Sequence, residues 1–199
     1  MFRLTCVVEG HGEVNALPNL CSRIITYLGV SGWYVDSEPI RLPRSLLVDE
    51  GTSSPKRNCN KGGICRALGL AAARSADGVL VVCDSDDDCA ATWGPHATAE
   101  ILSNNVAGVA VMSVREYEAW LLWSFSERDR FNARILRCPE TIRDAKGAIS
   151  RLFHGYLPAV HQLQLTRKID VGQVRKDSDS FDKLVRGVAQ LCGVVPPAR

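Results

Sequence analysis

The stretch at residues 78–88, GVLVVCDSDDD, constrains this chain more than any other. Five apolar residues, 79–83, run unbroken and then give way to Asp84, Ser85, Asp86, Asp87 and Asp88. A run this short and this rich in β-branched residues spells a strand covered on both faces, the kind found in parallel α/β sheets. Such sheets bind their ligands beyond the carboxyl ends of the strands. Asp84 and Asp86 therefore fall where an α/β protein carries its chemistry. Alternate carboxylates at that place suit a hard, oxygen-seeking cation such as Mg²⁺.

Two other strand candidates end on acids. Residues 4–8, apolar but for Thr5, lead into Glu9-Gly10-His11-Gly12-Glu13, after which Val14, Leu17, Leu20, Cys21, Ile24 and Leu28 recur at helical spacing. Residues 108–113, GVAVMS, form another buried-type strand and run into Arg115-Glu116-Tyr117-Glu118-Ala119-Trp120. Tyr117, Trp120 and Leu121 are spaced as the buried stripe of a helix, so Glu116 and Glu118 point to different faces and one of them reaches the edge; Glu116 lies nearer the strand end. Between these strands the sequence predicts short strands at Trp33-Tyr34-Val35 and Leu46-Leu47-Val48, a polar loop over 53–61, and an Ala-rich helix over 64–74. Trp93-Gly94-Pro95 reads as a turn into a short helix at 96–102.

From about Phe125 the character changes. Arg128, Arg130, Arg134 and Arg137 cluster, and two amphipathic helices follow. One presents Ile142, Ala145, Ile149, Leu152 and Phe153; the other presents Phe181, Leu184, Val185, Val188, Leu191 and Cys192, with Ser178 or Ser180 as its cap. The polar stretch 168–176 between them is expected to be exposed. The division is thus a metal-binding α/β domain over 1–124 and a helical extension over 125–199, packed on it.

Hydrophobic content of 46% and charged content of 23% belong to a soluble globular protein. No apolar run approaches bilayer length, and the first residues lead into a strand rather than a signal peptide, so the expected location is the cytoplasm. Eight cysteines are present, but Cys6, Cys21, Cys83 and Cys192 lie in apolar elements, where a reduced thiol acts as a small hydrophobe. Residues 1–110 carry 9 Lys/Arg against 12 Asp/Glu, and residues 111–199 carry 15 against 10. Acids gathered at a site with basic residues elsewhere suit a metal-dependent enzyme acting on a polyanion.

The Glu9-Gly10 step after a first strand, the Asp84-Ser85-Asp86 step after a later one, the Arg115–Trp120 segment and, more loosely, Ser180-Phe181-Asp182-Lys183-Leu184 resemble a bacterial Toprim-like family, related to the nucleases of the OLD type and often encoded beside an SMC-like AAA ATPase in phage-defence loci. The resemblance implies a Toprim-like, Rossmann-like sheet, with Glu9 as general acid/base or metal-associated group and Asp84 and Asp86 as the Mg²⁺-holding pair. It also implies nucleic acid as substrate and the ATPase as partner. Asp88, Glu13 and Glu116 are further metal-ligand candidates, and a homodimer stays open. Lys56, Arg57 and Lys61, with Arg41 and Arg44 upstream, are the candidates for phosphate contact.

A calcium loop fails on its own pattern, because Cys89 stands where the loop needs glycine and Pro95 where it needs glutamate. Three functions compete. One is a Mg²⁺- or Mn²⁺-dependent phosphodiesterase cutting DNA or RNA; the second is a non-catalytic scaffold that holds nucleic acid or the ATPase; the third and weakest is a metal-dependent phosphatase of small molecules. The second draws weight from Asp87-Asp88-Cys89, which lacks the glycine turn that follows D-x-D in Toprim sites.

Overall fold

The apolar run at 79–83 becomes the middle of a parallel sheet in a computed structural model of the chain, described for residues 1–49, 54–55, 63–133, 135 and 138–199. In chain order the strands are β1 (Phe2–Val8), β2 (Trp33–Val35), β3 (Ile40–Arg41), β4 (Val48–Asp49), β5 (Ser54–Pro55), β6 (Gly78–Asp84) and β7 (Gly108–Ser113). The helices are α1 (Glu13–Tyr27), α2 (Arg44–Leu47), α3 (Gly63–Ala73), α4 (Ala90–Ser103), α5 (Glu118–Leu121), α6 (Glu127–Asn132), α7 (Ala145–Leu152), α8 (Pro158–Thr166), α9 (Val171–Asp177) and α10 (Asp179–Leu191). Strands β2, β1, β6 and β7 lie side by side, β3 also pairs with β1, and every pairing in this sheet is parallel. β4 and β5 make a separate antiparallel pair. The protein is an α/β fold with a mostly parallel central sheet flanked by helices.

Alternation along the strands explains why the run is apolar throughout. Leu80 and Val82 join Leu4, Cys6, Val8, Val109 and Val111 in a core beneath α1 and α10. Val79, Val81 and Cys83 join Val7, Ala110 and Met112 in a second core, closed by Ile64, Ala67, Trp93, Ala97 and Ile101. The first core is shared by residues before and after 124, since Tyr117 and Trp120 pack there with Phe181 and Val185. Trp120 meets Tyr117 and Phe181 edge-on, with ring centroids 5.4 and 5.7 Å apart.

Three local expectations are corrected. Leu46-Leu47 is not strand but the end of the helical turn α2, which starts after Pro43 and is closed by the Leu46 N–H on the Pro43 carbonyl at 2.9 Å; extended backbone begins at Val48. α4 starts at Ala90 rather than 96 and contains Pro95. Burial of Trp93, whose indole N–H donates to the Leu47 carbonyl at 3.3 Å, holds the first turns of α4 helical despite the proline. The stretch 168–176 is not simply exposed: α9 buries Val171, Val174 and Arg175. Arg175 looks polar in sequence but is paired inside, its Nε 2.7 Å from Asp182 Oδ1, with Asp182 also 2.8 Å from Arg186.

That pair yields a stability prediction. Asp182→Ala strands a buried guanidinium and is expected to cost about 3 kcal/mol, read as a lower urea midpoint. Asp182→Asn, which keeps one acceptor, should cost less.

None of the seven described cysteines forms a disulfide; Cys6, Cys21 and Cys83 are buried, as expected of reduced thiols in apolar elements, and Cys192 is half-buried. Among the described residues no helix is long and apolar enough to cross a membrane.

Candidate functional site

The parallel register delivers the first two acids together. Val7 pairs with Val81 and Asp84 with Ser113, so Glu9, one residue past β1, comes level with Cys83 and beside Asp84, the last residue of β6. Glu9 Oε2 accepts from the Asp84 N–H at 3.3 Å. Asp84 Oδ1 accepts from Ser113 Oγ at 2.8 Å and from the Tyr117 N–H at 2.7 Å, which fixes the carboxylate. Both bonds fall on the same oxygen, leaving Oδ2 with no hydrogen bond among the described residues.

Two further acids are buried behind this pair. Glu13 opens α1 and folds back, its Oε2 accepting from the Gly10 N–H at 2.8 Å. A Cβ at Gly10 would stand 2.7 Å from Glu13 Oε1 and push that carboxylate aside. Glu118 is 1% exposed, and its Oε1 accepts from Tyr156 Oη and Gln162 Nε2, each at 3.1 Å. Its other oxygen, Oε2, is buried without a hydrogen-bond partner among the described residues.

Burial is the largest cause of a raised pKa at Glu9, Glu13, Asp84 and Glu118, and neighbouring carboxylates add to it at each. Glu13, Glu9 and Glu118 act on Asp84, which is pushed well above the ordinary Asp value. Lys146, at the start of α7, has its charge opposed by its own burial, yet Glu118, Glu116 and Asp84 hold it more basic than usual.

The outer acids are differently engaged. Arg44 of α2 reaches across them: its Nε is 3.3 Å from Asp86 Oδ2, its Nη1 is 3.8 Å from Glu9 Oε2 and donates to the Asp84 carbonyl, and its Nη2 donates to Asp88 and, at 3.1 Å, to the Ser85 carbonyl. Asp86 adopts φ +47°, supplying without glycine the left-handed turn that follows the strand, and its side chain is 57% exposed. Asp87 binds Arg115 at 2.5 Å and Arg143 at 2.8 Å, and the hydrogen bond from Arg115 leads in holding its pKa low. Glu116 turns aside, accepting from the Lys146 N–H at 3.1 Å with Lys146 Nζ 3.6 Å away.

The structure therefore brings Glu9, Asp84 and Glu13 together, sets Asp86 and Asp88 against Arg44, and gives Glu116 to α7. Glu118 joins the buried acids instead; its place inside the apolar stripe Tyr117–Leu122 was the one sequence signal for it. Arg41 is exposed on β3, while Lys56, Arg57 and Lys61 lie outside the described residues. As the side chains stand, no three His, Cys, Asp or Glu residues among those described are arranged to hold a metal ion. Glu9 and Asp84 side by side, with Arg44 and Lys146 near them, are what the edge offers. Comparison of the chain with family models, with curated proteins and with solved structures finds no match.

Proposed function

We propose that this edge binds Mg²⁺ or Mn²⁺ and hydrolyses a phosphodiester of DNA or RNA in the manner of a Toprim nuclease, as the effector of an ATPase partner in defence against phage. The observation that carries the reading is the adjacency of Glu9 and Asp84, crowded by Glu13 and Glu118 in a site that raises the pKa of all four. Such a group is short of positive charge. Mg²⁺ commonly takes one or two protein carboxylates and leaves its other positions to water and phosphate, so a two-carboxylate site fits it.

Glu9 and Asp84 would hold the ion, which when bound polarises a phosphoryl oxygen and makes water a better nucleophile. The chain supplies the rest. Asp84 is kept rigid by Ser113 and the Tyr117 N–H. Glu9, against the Asp84 N–H, is placed to accept the proton of the attacking water. Arg44 and Lys146 offset charge on the phosphoryl group, Arg44 by exchanging its internal acids for phosphate oxygens.

Purified protein titrated with Mg²⁺ and with Mn²⁺ against plasmid and RNA is expected to cleave at least one of them. Glu9→Gln and Asp84→Asn should each lower the rate by about a hundredfold or more. Undiminished cleavage by both variants would rule the reading out.

Arg44 supports a second reading. Its guanidinium already answers Glu9, Asp86 and Asp88, as expected of a non-catalytic scaffold that holds nucleic acid or the ATPase. That scaffold binds its partner in EDTA and cleaves nothing in any divalent ion.

A further inference from the structure

The basic segment after residue 125 builds a cleft that the carboxylate site does not use. Its volume is about 860 Å³, and Trp123, Arg128, Arg130, Phe131 and Pro139 line it. Phe131 is 68% exposed, a large aromatic ring left in water on α6. Arg130 lies over the Trp123 ring at 4.4 Å. In that position Arg130 Nη1 and Trp123 Nε1 are both buried donors with no hydrogen-bond partner among the described residues. A single exposed Phe is ordinary on a protein surface. An exposed ring, a guanidinium stacked on an indole, and two unanswered donors in one cleft ask for a ligand that is flat and rich in acceptors.

We infer that this cleft binds single-stranded nucleic acid, with an unpaired base stacked on Phe131 and backbone phosphates held by Arg128 and Arg130. Stacking platforms interleaved with arginine are the physical means by which unpaired strands are held without regard to sequence. Arg130 swings from the indole to a phosphate, which answers Nη1 and uncovers Trp123 Nε1 for a phosphate or base oxygen. An acidic peptide would satisfy the donors but has no planar face to match Phe131. Glu127 and Asp177 also line the cleft and oppose a polyanion. Asp177, however, is engaged by Gln173 Nε2 at 2.8 Å. Among the described residues that line it, Arg128 and Arg130 stand against these two acids. A duplex keeps its bases stacked inside and gains nothing from Phe131, so the cleft discriminates in favour of unpaired strands.

The cleft also lies within reach of the acidic edge. Pro139 lines it, and Arg143, four residues on, binds Asp87 at 2.8 Å. Four residues of fully extended chain span at most about 14 Å. One strand can therefore occupy the cleft and pass the carboxylates. Only this delivery role rests on the hydrolase reading; the binding itself does not.

The test is binding of a 12-nucleotide oligothymidylate in EDTA, followed by tryptophan fluorescence and by the anisotropy of a labelled strand. Quenching is expected, with a duplex of equal length bound more weakly. Phe131→Ala should weaken strand binding about tenfold. Arg128→Ala with Arg130→Ala should reduce the slope of log K against log salt by about 0.7 for each phosphate that is no longer neutralised. Circular dichroism melting confirms that Phe131→Ala, at an exposed position, stays folded. Full-strength binding by these variants overturns the inference, as does the absence of binding. So does a polyglutamate peptide that binds as tightly as the strand, because the cleft is then a protein-docking site. EDTA separates the two claims: strand binding without metal-dependent cleavage strikes the hydrolase reading alone, cleavage unaffected by Phe131→Ala and the arginine pair strikes the delivery role alone, and strand binding in EDTA unaffected by those substitutions strikes the cleft.

Discussion

Asp84→Asn is expected to make the ion-free protein more stable at pH 7.5 while removing its response to Mg²⁺. The asparagine keeps the Oδ1 acceptor that serves Ser113 and the Tyr117 N–H, and it sets an amide where Oδ2 has no hydrogen bond. It also removes one of four crowded carboxyls. A carboxyl whose folded pKa is raised contributes its stability fully below the ordinary value, 3.8 for Asp and 4.5 for Glu, and that contribution is lost as pH rises through the folded pKa. At neutral pH the cluster is therefore a liability in the absence of a cation. Relief of about 1 kcal/mol corresponds to roughly 2–4 °C in a chain of this length. The gain of Asp84→Asn over the parent should vanish near pH 4 and open as pH rises. Groups with lowered pKa, such as Asp87, are common to both proteins and cancel in the difference. Melting curves of the two proteins from pH 4 to 8, with and without Mg²⁺, measure this. A gain that does not depend on pH would contradict it.

Arg44→Met should do the opposite. Methionine keeps much of the apolar stem but removes the charge that touches Glu9, Asp86 and Asp88 and the bonds to two carbonyls. The side chains of Glu9 and Asp88 are only 22% and 13% exposed, so water replaces the guanidinium poorly. A loss of about 2–3 kcal/mol is expected, below that of a fully buried pair because Asp86 is exposed. Mg²⁺ should recover more stability in this variant than in the parent, since ion and guanidinium serve the same acids. Urea midpoints at several Mg²⁺ concentrations decide it; equal recovery in both proteins would mean that the two cations act at separate places.

What could be read from sequence was the part that repeats along the chain. Val79–Cys83 alternates between two cores, so an unbroken apolar run was a sufficient sign of a strand covered on both faces. The carboxyl-edge position of Glu9 and Asp84 followed from the parallel arrangement alone. Pro95 misplaced the start of α4 because local preference carries no knowledge of the burial of Trp93. Arg175 misplaced α9 because a buried charge is intelligible only with its partner, seven residues on. Arg44 was legible as a basic residue but not as the counter-ion of three acids, which takes a contact across more than thirty residues of chain. Glu118 depends likewise on Tyr156 and Gln162, which no local pattern links to it.

The central claim is that Glu9 and Asp84 hold a divalent cation between them. Calorimetric titration of Mn²⁺ and Mg²⁺ into the apoprotein tests it without requiring a substrate. Saturable binding is predicted in the parent, weakened tenfold or more in Glu9→Gln and in Asp84→Asn alike, and little changed in Glu116→Gln. Identical isotherms for the parent and the first two variants would contradict the account.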